Sequence, residues 1–245
     1  MNGMMKRQKY VIYYGWLVAD QVGQPNQIAR LIAAAQPQIL VAAFYTDLLG
    51  CTNLSPQVQE LLHTAGVKIL AYVPTYYGLR EHNSVKSVVR HYLKQGVDGI
   101  FFDEVYHFRD KDHLDYYQTL YEMVKEAGQQ VILNIGLSHT DPLIMEVTDI
   151  LMVEHRWRDF YRQCCWRTNY APERFMGNSS NEPGSYKSLG YLVDLVKAVG
   201  DTLEAWENGI GWHYSTDHYI HLPEWYKDYT RLVGSSKVVP SKAVS

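Results

Sequence analysis

Gly99-Ile100-Phe101-Phe102-Asp103-Glu104 lies near the middle of the chain. Four small or apolar residues run straight into two acids. A short apolar run rich in bulky residues and bounded by turn signals reads as a buried strand. A helical pattern at residues 83–95, closed by Gly96, comes before it, and another at residues 112–127, closed by Gly128, comes after. A second apolar run follows at residues 130–135. Strand, helix and strand in that order imply a crossover between parallel strands.

The same alternation extends in both directions. Residues 10–17, 39–45, 67–73, 99–105, 130–135, 149–154, 174–178 and 210–214 read as eight strands. Residues 25–35, 55–65, 83–95, 112–127, 142–147, 186–199 and 223–232 read as helices, with Gly200 ending the sixth. A barrel of eight strand–helix units needs about 250 residues, and the chain has 245. The expected fold class is therefore α/β, a single (β/α)8 TIM-type barrel. Residues 1–233 form the barrel domain and residues 234–245 a flexible C-terminal tail. The competing doubly wound sheet opens with a glycine-rich phosphate turn after its first strand. Here Gly15-Trp16-Leu17 follows, and no GxGxxG motif occurs.

Composition narrows the function. The net charge is -3 with no basic block, which argues against nucleic acid as a partner. The 20 Tyr and 6 Trp outnumber the 6 Phe, and such amphipathic rings suit half-wet clefts. Cys51, Cys164 and Cys165 form no metal-spaced cluster and read as free thiols. No metal or cofactor is expected. No segment approaches the roughly 20 apolar residues of a membrane span. Lys6, Arg7 and Lys9 precede an apolar stretch, but no small-residue cleavage site follows. As the sequence stands the expected location is cytoplasmic, or secreted if a leader was removed.

Active sites of such barrels stand at the C-terminal ends of the strands. The residues expected there are Tyr14 and Trp16; Tyr45 and Asp47; Tyr72, Thr75, Tyr76 and Tyr77; Asp103 and Glu104; Asn134; Glu154 and Trp157; Asn178; and Trp212 and Asp217. Carboxylates, amides and aromatics together point to an oligo- or polysaccharide partner. Strand 4 ends in Asp103-Glu104, and strand 6, Asp149-Ile150-Leu151-Met152-Val153, ends in Glu154. Two acids on next-nearest strands can flank a glycosidic bond, one to protonate the leaving oxygen and one to attack or activate water. Asp103 is assigned as nucleophile or base, Glu154 as general acid and Glu104 as their orienting neighbour, with Trp157 as an apolar wall. Structural roles compete: a pairing of the strand-4 acids with Arg109, and of Glu154 with Arg156 or Arg158. The sugar platform is expected from Tyr14, Trp16, Tyr45, Tyr72, Tyr76, Trp157 and Trp212, with Asn134, Asn178 and Asp217 as polar ligands. Two other functions compete, a non-catalytic carbohydrate-binding barrel and a phosphosugar enzyme using Gly177-Asn178-Ser179-Ser180.

Several stretches resemble the spherulation-specific (spherulin-four-like) family. Gly96-Val97-Asp98-Gly99-Ile100-Phe101-Phe102-Asp103-Glu104 resembles its strand-4 signature, and Tyr13-Tyr14-Gly15-Trp16 its first strand. The run from Gly66 to Thr75 resembles its third strand and Val131-Ile132-Leu133-Asn134 its fifth. Thr216-Asp217, Tyr219, Leu222-Pro223 and Trp225 resemble its C-terminal signature. The resemblance implies a (β/α) barrel related to microbial α-1,4-galactosaminidases, which cleave galactosamine or N-acetylgalactosamine polymers of exopolysaccharide. It also implies that Asp103, Glu104 and Glu154 are the functional acids. Ile135-Gly136 replaces the family's Pro-Gly, and Ala43-Phe44-Tyr45-Thr46-Asp47 replaces its Asn-Pro-rich end of strand 2. The Asn-Pro before the C-terminal Tyr is also absent.

Overall fold

The computed structural model describes residues 8–43, 45–46, 50–51, 54–106, 111–181 and 192–235. Eight parallel strands close into a barrel: β1 (Gln8–Tyr13), β2 (Ile39–Ala42), β3 (Lys68–Pro74), β4 (Gly99–Asp103), β5 (Gln130–Asn134), β6 (Ile150–Met152), β7 (Phe175–Ser179) and β8 (Trp212–Ser215). Closure is made by β1, which pairs with β2 through Tyr10↔Ile39 and with β8 through Gln8↔Trp212. The strands are buried on both faces, as parallel strands under helices must be, and this explains their nearly unbroken apolar runs. Among the described residues seven helices surround them: α1 (Gln27–Ala35), α2 (Pro56–Thr64), α3 (His82–Lys94), α4 (Lys111–Glu126), α5 (Trp157–Gln163), α6 (Leu195–Glu207) and α7 (Tyr226–Ser235). A short antiparallel pair, Tyr45–Thr46 with Gly50–Cys51, lies outside the barrel sheet.

Side-chain oxygens start α1, α3 and α6. Asn26 accepts from the Ala29 N–H at 2.9 Å, Glu81 from the Asn83 and Ser84 N–H groups, and Asp194 from Lys197. Asp141 opens the 3-10 turn Pro142–Glu146, which replaces a full helix between β5 and β6. Acids at the N-terminal end of the barrel are consumed in the same way. Asp98 Oδ2 accepts from the Ile69 N–H and pairs with His63, both at 2.8 Å. Asp149 Oδ2 accepts from the Val131 N–H at 2.7 Å and from Lys125 at 2.9 Å. A hollow of about 480 Å³ lined by Asp98, Asp149, Lys125 and Lys68 lies at the end opposite the strand tops. Its carboxylates already have partners, so it is not the chemical site.

The structure corrects several expected boundaries, among them strand 1, which ends at Tyr13 rather than residue 17. The sixth helix runs past Gly200 to Glu207, because Gly200 sits on the exposed face while Ala198, Thr202, Ala205 and Trp206 keep burying the other. Helix α5 and the flanking 3-10 turns fill a segment where no helix was expected. Helix α7 continues to Ser235, two residues beyond the expected domain end, and the rest of the expected tail lies outside the described residues.

Candidate active site

Strand register brings the acids together. Tyr72 pairs with Phe101, Phe101 with Ile132, and Asn134 with Met152. Side chains alternate along a strand, so Asp103 and Asn134, two residues beyond Phe101 and Ile132, face inward one layer higher, at the mouth. Tyr72 reaches up from the layer below and donates to Asp103 Oδ2 at 2.7 Å. Asn134 Nδ2 donates to Asp103 Oδ1 at 2.6 Å and to Glu154 Oε1 at 2.7 Å. One amide therefore bridges the two carboxyl groups. Its own oxygen is turned away, because it accepts from the Gly136 N–H at 3.1 Å. The two bridged oxygens can stand at most about 5.3 Å apart.

Gly136, whose N–H holds the Asn134 oxygen, adopts a left-handed backbone. Its φ is +57°, so any side chain there would be strained by the backbone, although a Cβ would make only ordinary contact with Glu154 Oε2 at 3.4 Å.

The electrostatics separate the acids. Glu154 is 27% exposed, but its carboxyl stands above an apolar barrel interior. Loss of hydration, then the Asp103 charge, raise its pKa to about 7, against the opposing Asn134 hydrogen bond. Burial also raises Asp103, while hydrogen bonds from Tyr72, the Glu104 backbone and Asn134 favour its ionised form. Burial and the Asp103 charge raise Glu104. No Lys or Arg among the described residues pairs with any of the three. Arg156 instead lies 3.9 Å from Asp159, and Arg158 binds Asp201 and Glu204. This removes the expected structural alternative for Glu154. Arg109 lies outside the described residues.

Backbone strain concentrates at the same place. Of the five non-glycine residues with positive φ among those described, Gln36 is a helix C-cap. The other four are Tyr76, Tyr77, Glu104 and Glu154, all at strand tops. Such conformations cost of order 1–3 kcal/mol each and cluster at functional sites. Buried Thr75 supports one of them, Glu104, together with its neighbour Asp103: its hydroxyl lies 3.0 and 2.9 Å from the Asp103 and Glu104 carbonyls and 2.8 Å from the Tyr117 hydroxyl.

The aromatic platform divides. Tyr14 and Tyr72 are half-buried at the mouth, edge to face at 4.9 Å, with Tyr219 beside Tyr14 at 5.5 Å. Trp16 and Tyr76 are 71% and 53% exposed. Trp157 and Trp212 are buried, which corrects their expected role. Trp157 packs on Gly177, on His213 and under the Arg158 guanidinium, 4.0 Å away. Trp212 begins β8 at the N-terminal end of the barrel, and its indole N–H donates to the Glu173 carbonyl. Asn178 is also buried, donating to the Tyr219 hydroxyl. Ser179 and Ser180 are buried with it, so this stretch offers no open phosphate cradle. Asp217 stands after β8 with His221 at 3.7 Å. The side chain of Tyr45, together with Asp47, lies outside the described residues. Tyr77 and Tyr219 were not singled out as sugar ligands; a tyrosine pair running into a glycine turn was the available signal for the first. No group of three or more His, Cys, Asp or Glu among the described residues could hold a metal. No helix among them is long and apolar enough to cross a membrane.

A closed parallel barrel with a carboxylate–amide–carboxylate array at its mouth defines the class. The spherulation-specific family 4 model matches residues 48–235, and the chain belongs to that family. No curated protein matches it in sequence. Among solved structures it is similar to Aspergillus clavatus Sph3 in complex with GalNAc, at 17% identity, TM-score 0.67, covering 95% of this chain and 99% of that one. It is also similar to an endo-beta-N-acetylglucosaminidase from Cordyceps militaris, at 12% identity, TM-score 0.60, with 95% and 91% covered. A chitinase from Bacteroides thetaiotaomicron matches at 12% identity, TM-score 0.61, with 94% and 96% covered. At these identities the likeness is one of fold.

Proposed function

We propose that the chain is a retaining, endo-acting glycoside hydrolase for an α-linked galactosamine or N-acetylgalactosamine polymer. The observation that carries the reading is the Asn134 bridge, which holds Asp103 and Glu154 oxygens within about 5.3 Å of each other. Retaining enzymes place their carboxyl groups about 5–5.5 Å apart, whereas inverting ones leave roughly 6.5–9.5 Å for a water. Glu154, with a pKa near 7, enters protonated and gives its proton to the glycosidic oxygen as the C1–O bond breaks. Asp103, ionised and steered by Tyr72 and Asn134, forms the new bond to C1. Water then attacks C1, Glu154 takes its proton, and the bond to Asp103 is released. Glu104 orients the pair rather than attacking. The sugar class is supported by the family resemblance and by the GalNAc bound in the Sph3 structure.

The test is hydrolysis of such a polymer by the parent, Asp103→Asn, Glu154→Gln and Glu104→Gln. The first two variants should fold and lose nearly all activity, and Glu104→Gln should lose less. Wild-type rates in both Asp103→Asn and Glu154→Gln would refute the assignment. A parent that binds the oligosaccharide and cleaves none of a broad panel would establish a binding barrel instead.

A further inference from the structure

Tyr76, Tyr77 and Gly78 have φ values of 49°, 58° and 76° in succession. The Gly78 N–H donates to the Thr75 carbonyl at 3.1 Å and the Leu79 N–H to the Tyr76 carbonyl at 3.0 Å. The segment is thus a tight turn of left-handed residues, two of them aromatic. Gly or Asn would adopt this backbone with less strain. The turn does not bury the rings it carries, since Tyr77 is 54% exposed.

The turn is fastened to the acids. The Tyr77 N–H donates to the Glu104 carbonyl at 2.6 Å, and the Thr75 N–H at the start of the turn donates to the Asp103 carbonyl at 3.0 Å. Glu104 is itself left-handed and directly follows Asp103. The Tyr77 ring is therefore offset from Asp103 by a short, doubly anchored path. Its hydroxyl lies in the field of Glu104, Asp103 and Glu154 together, which add to burial in raising its pKa. Tyr76 is placed differently, with the Arg80 guanidinium 5.9 Å from its ring centre.

We infer that Tyr77 is a specificity-determining residue, whose exposed ring is the platform for the sugar unit next to the cleaved linkage. The inference rests on the hydrolase reading above. An exposed phenol offers an apolar face to pyranose C–H bonds and a polar tip to a hydroxyl. A galacto-configured ring suits it. Its axial 4-hydroxyl leaves the C–H bonds at C3, C4 and C5 together on one face, whereas the gluco epimer breaks up that patch.

The test uses defined α-1,4-linked oligomers of galactosamine and N-acetylgalactosamine, with gluco-configured oligomers as comparison. Hydrolysis is measured for the parent, Tyr77→Phe, Tyr77→Trp, Tyr77→Ala and Tyr77→Gly. Loss of the ring should raise KM roughly five- to tenfold, change kcat little and narrow the preference for galacto over gluco. Phe and Trp should restore most of the affinity. Tyr77→Gly suits the left-handed backbone, so it carries the test if the Ala variant folds poorly. A parent that cleaves the oligomers, with Ala and Gly variants keeping KM and preference within twofold, overturns the platform and leaves the acid assignment standing. A parent that neither binds nor cleaves any of the oligomers overturns both.

Discussion

Replacing Glu154 by Gln should stabilise the protein at alkaline pH while abolishing its chemistry. The folded-state pKa of Glu154 is about 7, against 4.5 for a free side chain. An acid raised in this way binds its proton more tightly when folded. Its contribution to stability is therefore most favourable below pH 4.5, declines as pH rises from there to about 7, and stays unfavourable above. At about 1.4 kcal/mol per pKa unit, the penalty above pH 7 is roughly 3 kcal/mol. Gln is neutral at every pH and keeps the carbonyl oxygen that accepts from Asn134 Nδ2. Glu154→Gln should match the parent near pH 4 and exceed it by up to about 3 kcal/mol at pH 8, or roughly 6–12 °C in Tm for a chain of this size. Thermal and urea unfolding of both proteins at the two pH values make the comparison. A variant no more stable than the parent at pH 8, or one that gains equally at both pH values, refutes the desolvation argument.

Other outcomes follow from the same geometry. The rate profile kcat/KM should be bell-shaped, with a basic limb near pH 7 as Glu154 loses its proton and an acidic limb above the usual Asp range, since Asp103 is raised; activity still rising above pH 8 would exclude Glu154 as the acid. Tyr72→Phe removes a donor to Asp103, so kcat should fall roughly ten- to hundredfold and the acidic limb should move to higher pH, both readable in one pH series. Trp157→Ala should cost about 3–5 kcal/mol, because the ring is fully buried, and calorimetry would show the loss as a lower Tm with no new pH dependence.

The barrel and its acids were legible because apolar strands that end in carboxylates are hard to explain by packing. Asp98 and Asp149, just before strands, take backbone N–H groups and basic partners, while Asp103 and Glu154 stand at strand tops, share the Asn134 amide and have Tyr72 and His155 beside them. Asn134 was visible as a strand-top residue, but its bridging position depends on register across three strands. The tryptophans were misread for a related reason. Strand β8 begins at Trp212, so a residue expected near the top stands at the bottom. Trp157 opens a seven-residue helix without a capping side chain, and a helix that short leaves almost no periodic signal. Gly200 looked like a stop, yet an exposed glycine inside a well-capped amphipathic helix costs only about 1 kcal/mol, less than the face it would have to expose. The left-handed backbone of Tyr76, Tyr77, Glu104 and Glu154 has no sequence signature, because favourable residue types are what such positions lack.

In the proposed mechanism Asp103 and Glu154 act as a close pair on an α-linked amino-sugar polymer. Proton NMR of the reaction with α-1,4-linked oligomers, recorded before mutarotation, tests it most directly. The first-formed reducing end should be the α-anomer, and the signal should vanish in Asp103→Asn. A β-anomer appearing first, or an α-anomer formed as fast by Asp103→Asn as by the parent, would contradict it.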